Sequence, residues 1–221
     1  MDGGIDPGTN YVDFGAQLHE RAIESLVSEF AGIFSRGTIE RYVRETQAEL
    51  DASQRGRWMS FHRARVDWFA RARLEGLVRA EGQVETLQPA ALFVGARNAG
   101  RSQMAAALTH QLSNGWVHVR SAGSKPGLAV QPNMVVAMAE IGVDLSAALP
   151  KALTDEVVRG ADVVVTMGCD DSCPVYAGKH YEDWGIADPD GQPIEVVRQI
   201  RDDIGERVRG LLRTFSPSVP V

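Results

Sequence analysis

Cysteine is almost missing from these 221 residues: Cys169 and Cys173 are the only two. A disulfide-stapled secreted scaffold needs more pairs, so a reduced, cytoplasmic setting is expected. No apolar run approaches the length of about 18 residues that a membrane span requires, and no signal-like apolar segment opens the chain. A membrane partner is therefore not expected. Basic residues are outnumbered, 23 against 29 acidic, for a net charge of -6. That overall field is wrong for non-specific nucleic-acid binding, although it leaves room for a local anion pocket. Metal-ligand clusters are lacking too, since the Cys-x-x-x-Cys pair has only His180 nearby. No metal and no cofactor are expected. His19, His62, His110 and His118 read as surface positions on helices or strands, without a triad pattern of Ser or Asp around them.

What is present is ordinary globular composition, 44% hydrophobic and 24% charged, with 22 Gly and 10 Pro spread along the chain. The length suits one larger domain with a small appendage. Residues 1–13 are a Gly- and Asp-rich stretch without periodicity and read as a flexible leader. Residues 14–82 carry helical periodicity in three parts. Leu18, Ala22, Leu26 and Phe30 form one stripe, Ile39, Val43 and Leu50 follow a Thr38 cap, and Trp58, Phe61, Val66, Phe69, Leu74 and Leu77 mark a third. A small three-helix bundle is expected. Its arginines 55, 57, 63, 65, 71, 73 and 79 read as a solvated face. Trp58, Trp68 and Phe69 leave apolar surface for the second domain or for another copy of the chain, so a homodimer through the bundle is a candidate partner.

After a linker at 83–89 the period changes, and residues 90–216 form the second domain, with a tail at 217–221. Short β-rich runs at 90–94 (AALFV), 117–120, 161–167 (ADVVVTM) and 181–184 alternate with helical segments at 102–112, 132–141 and 154–159. A final helix carries Val197, Ile200, Ile204, Val208, Leu211 and Phe215 on one face. The alternation implies an α/β fold: a four-stranded parallel sheet with helices on both faces. Ligands of such sheets sit beyond the strands' carboxyl ends.

The loop after the first strand is Gly95, Ala96, Arg97, Asn98, Ala99, Gly100, Arg101 and Ser102. Placed between a buried strand and a helix start, its N–H groups and the helix N-terminus converge on one point, which suits an oxyanion. Arg101 adds a permanently charged forked donor, and Arg97 is a second cation for the same ion. GARNAGRS also approaches the nucleotide-binding pattern G-x-x-x-x-G-K-[ST], but Arg101 replaces the lysine and no strand ends in a magnesium-holding Asp.

The run FVGARNAGRSQMAAAL resembles the signature loop of the low-molecular-weight tyrosine phosphatase fold, in particular its arsenate reductase branch, where Cys, five residues, Arg and Ser follow the first strand. The resemblance continues through SAGSKPG, VVVTMGCDDSCP and YEDWGIADPDGQPIEVVRQIRDDIGERV, and the helical extension resembles that of members using a low-molecular-weight thiol. It implies that Arg101 and Asp188 are catalytic, that Ser102 supports the thiolate and that Asn98 braces the loop. It places relay cysteines of thioredoxin-coupled members near Cys169 and Cys173, which are candidate redox residues. Where the family carries its nucleophilic cysteine this chain has Gly95. Glycine cannot attack arsenate or a phosphoryl group, so a covalent intermediate at that position is excluded.

Three functions follow as expectations. One is an arsenate reductase-like protein that binds a small oxyanion but lacks the nucleophile, with a thiol co-substrate only if reduction occurs. Another is an enzyme with a repurposed pocket, where Asp188 does acid–base work on an anionic small molecule held by Arg101. The third is a non-catalytic interaction protein acting through the bundle.

Overall fold

The computed structural model describes residues 7–53, 66–82, 88–168 and 173–215. The chain divides into two compact units at the boundary between Val78 and Arg79.

The first unit is helical: α1 (Pro7–Glu29), α2 (Arg36–Ser53) and α3 (Val66–Ala80). Helix α1 begins at Pro7, so residues 7–13 are its first turns, not an aperiodic leader. Proline suits the first helical turn, where an N–H would have no partner. The predicted start of the third helix, with Trp58 and Phe61, and the arginines at 55, 57, 63 and 65 lie outside the described residues. The core joins Leu26, Ile39, Val43, Ala70 and Leu74, all fully buried. Two arginines of α3 are not on a freely solvated face. Arg71 pairs with Glu29 at 2.8 Å, and Arg73 is 8% exposed, held by Glu45 at 3.1 Å and Glu49 at 3.4 Å with its guanidinium over the Tyr42 ring.

The second unit runs β1 (Ala90–Gly95), α4 (Arg101–Leu112), β2 (His118–Gly123), α5 (Pro132–Ala139), α6 (Asp155–Arg159), β3 (Val163–Met167), β4 (His180–Asp183) and α7 (Ile194–Phe215). The four strands form one parallel sheet in the order β2-β1-β3-β4. Strand alternation sorts β1 between two cores. Ala91 and Phe93 join Met104 and Leu108 of α4, Met134 of α5 and Val197, Ile204 and Val208 of α7, whereas Leu92 and Val94 join Val157 and Val158 of α6. The sheet is therefore covered on both faces. Helix α7 buries Val197, Ile200, Ile204, Val208 and Leu211 at the spacing its periodicity announces.

Two local differences from the sequence reading bear on the site. Strand β2 continues through Ser121, Ala122 and Gly123, because these residues stay in register with Phe93, Val94 and Gly95. His118 is half-buried on β2 instead of at the surface, and burial together with the neighbouring Arg120 cation pushes its pKa down to about 4.

Candidate functional site

Strand β1 ends at Gly95, and the chain turns through residues 96–100 into α4. Four of the carbonyls from Gly95 to Ala99 are engaged by the segment after β2, and those of Asn98 and Gly100 by Gln103 and Met104 of α4. Ser124 N–H donates to Gly95 at 3.3 Å, Lys125 to Ala96 at 2.8 Å, Gly127 to Arg97 at 2.8 Å and Gln131 to Ala99 at 2.9 Å. Among the described residues no backbone carbonyl accepts from the N–H groups of 96–102. Inward N–H groups at the start of a helix form an anion nest. The close approach needs glycine on β2: a Cβ at Gly123 would lie 2.8 Å from the Ala96 carbonyl and 2.9 Å from the Asn98 nitrogen.

Asn98 shapes the loop. Its φ of 48° is a left-handed conformation that Asn tolerates better than most residues. Its side chain is 1% exposed and makes three hydrogen bonds. Nδ2 donates to Ser102 Oγ at 3.0 Å, while Oδ1 accepts from the Lys151 N–H at 2.8 Å and from the Gln103 amide at 3.0 Å. Gln103 also donates to the Leu149 carbonyl at 2.9 Å, which binds the loop to the 149–151 segment. Burial, with Arg120 adding to it, lowers the Lys151 pKa to about 8.

The cavity so enclosed measures about 50 Å³ and is lined by Gly95, Ala96, Arg97, Asn98, Ala99, Gly100, Arg101, Ser102, Gln131, Met167 and Asp188. That volume suits one tetrahedral oxyanion. The side chain of Arg101 is 16% exposed, donates to the Ile186 carbonyl and lies 3.7 Å from the Asp188 carboxylate. Asp188 accepts from the Asp190 N–H at 3.0 Å and remains open to solvent. Arg97 lines the cavity and also pairs with Asp190, which accepts from Gln131 at 2.6 Å. A Cβ at Gly95 would lie 3.4 Å from Ser102 Oγ and 3.7 Å from the Met167 carbonyl, both ordinary contacts. The position therefore has room for a side chain beneath the cavity.

The chain belongs to the low-molecular-weight phosphotyrosine protein phosphatase family, in its arsenate reductase branch. The model of that family matches residues 90–219, and the N-terminal domain of protein-tyrosine-phosphatase-like proteins matches residues 19–78. A thioredoxin-dependent arsenate reductase of Corynebacterium glutamicum is 37% identical, with a TM-score of 0.79 over 91% of this chain and 98% of that one. A glutaredoxin arsenate reductase of Synechocystis is 34% identical over 57% of this chain and 97% of its own length. An arsenate reductase of Brevibacillus brevis is 35% identical over 55% and 92%.

Cys173 lines a groove next to Arg101, and Cys169 lies outside the described residues. Trp184 is buried against Phe93 with ring centroids 5.7 Å apart, a core position that also borders the groove. Among the described residues no group of three His, Cys, Asp or Glu could hold a metal. No helix among them is long and apolar enough to cross a membrane. Gln131, Gln103, Met167 and Asp190 were not legible as site residues. Only Asp190 carried a signal, its place in the Asp-Pro-Asp-Gly turn.

Proposed function

We propose that this chain is an oxyanion-binding member of the arsenate reductase branch that cannot form a cysteinyl intermediate at position 95. The observation carrying this reading is Gly95 itself, at the end of β1 and lining the small cavity of the 95–102 loop, with space for a side chain 3.4 Å from Ser102 Oγ. Loss of the thiolate removes the covalent step and leaves the charge-stabilising parts in place. Inward N–H groups and Arg101 hold arsenate or phosphate, and Asp188 stands at the mouth. A thiol reductant of the kind named for the Corynebacterium and Synechocystis relatives becomes a co-substrate only once a nucleophile is restored.

The test is titration of the parent with phosphate and arsenate, paired with Gly95→Cys assayed for arsenate reduction. Binding in both and turnover in the variant alone supports the reading. A second reading, non-covalent acid–base catalysis, is favoured by one observation, the Asp188 carboxylate lining the same cavity 3.7 Å from Arg101. It requires parent turnover that Asp188→Asn removes while phosphate binding stays.

A further inference from the structure

Two arginines line the small cavity, and they are held in different ways. The Arg101 side chain is 16% exposed and donates to the Ile186 carbonyl, so its guanidinium is fixed by the backbone beside it. The Arg97 side chain is 51% exposed and is held by a carboxylate, that of Asp190, itself 50% exposed. The other oxygen of the same carboxylate accepts from Gln131 Nε2 at 2.6 Å, and Gln131 also lines the cavity. Asp190 therefore reaches two side chains of the cavity wall at once.

The turn that carries Asp190 does not depend on this pair. Gln192 N–H donates to the Pro189 carbonyl at 3.1 Å, Asn133 Nδ2 donates to the Gln192 carbonyl at 3.0 Å, and Asp190 N–H donates to Asp188 Oδ1 at 3.0 Å. None of these bonds uses the Asp190 side chain. An exposed ion pair contributes little to stability and opens readily. A carboxylate and a tetrahedral oxyanion also offer a guanidinium the same thing, paired oxygens that match its fork. An ion in the cavity and the Asp190 carboxylate are thus rivals for Arg97.

We propose that Asp190 is an internal competitor of the bound oxyanion, which holds the Arg97 guanidinium away from the ion and so limits how tightly the cavity binds. The proposal rests on the oxyanion reading above and adds a built-in restraint on that site. With Asp190 in place, Arg101 alone supplies side-chain positive charge to the ion. Once Asp190 releases it, Arg97 supplies a second guanidinium.

The test is calorimetric titration of the full chain with inorganic phosphate, in the parent, Asp190→Asn, Arg97→Ala and the double variant. Asparagine keeps an oxygen for the Gln131 amide and removes the charge. Asp190→Asn is expected to tighten phosphate about threefold, the size of an exposed ion pair. Arg97→Ala is expected to cost more affinity in the Asp190→Asn background than in the parent, so the two substitutions are non-additive. Phosphate affinity that is unchanged or weakened in Asp190→Asn overturns the proposal. So does a gain of equal size with and without Arg97, because Asp190 would then act only by repelling the ion. Both of these results leave the oxyanion reading standing. Failure of phosphate to bind the parent and every variant overturns that reading, and this proposal with it.

Discussion

Asn98→Ala tests how much of the site is held by one side chain. The substitution deletes the acceptor of the Lys151 N–H and the donor to Ser102 Oγ. A buried polar group left without its partner costs about 1–3 kcal/mol. Alanine at a φ of 48° adds about 1 kcal/mol that Asn largely avoids. The sum is a loss of about 2–4 kcal/mol, large against a typical domain stability of about 5–15 kcal/mol. Asn98→Gly removes the same hydrogen bonds without the backbone penalty, so it should be the milder of the two by about 1 kcal/mol. Denaturant-dependent amide exchange at β1 and α4 reads this unit directly. Phosphate affinity should fall in both variants, because the N–H groups lose their fixed direction. If Asn98→Ala costs under about 1 kcal/mol, or binds phosphate as tightly as the parent, the bracing argument is refuted.

Phosphate at about 100 times its dissociation constant should stabilise the parent by roughly 2.7 kcal/mol in thermal unfolding, and Arg101→Ala should remove most of that gain; an undiminished shift would show that Arg101 is no anchor. His118, with its pKa lowered to about 4 in the folded chain, takes a proton more readily when unfolded. Stability should therefore fall as pH drops from about 6.5 to 4 and change no further through this group below that. Partial exposure limits the effect to about 2 kcal/mol. His118→Asn should flatten that part of the acid-unfolding curve, and an unchanged curve would contradict the assignment.

The fold was legible where residue pattern and packing agree. The run AALFV reads as a strand buried on both faces, and the α7 stripe from Val197 to Leu211 is buried as its period demands. The turn from β1 into α4 was legible too, as a Gly-bounded stretch between a buried strand and a helix. What escaped notice depends on partners distant in sequence. Ser121–Gly123 lacks strand propensity and becomes strand because β1 supplies the ladder. Arg73 looked like surface charge, and its burial follows from Glu45 and Glu49 reaching it from α2. The pairing of Arg97 with Asp190, 93 residues later, was likewise not readable from the loop. The groove beyond Arg101 is assembled from β3, β4 and the chain around them, so no single segment announced it.

The most direct test of the central claim compares the parent with Gly95→Cys for arsenate reduction, with a thiol reductant supplied, and for aryl-phosphate hydrolysis. The side chain has room, with Ser102 Oγ 3.4 Å from its Cβ position. The account predicts an inert parent that binds phosphate and a variant that binds it and turns over through a trappable intermediate on the new thiolate. A parent that reduces arsenate as fast as Gly95→Cys, or a folded Gly95→Cys that binds phosphate yet stays inert, would contradict it.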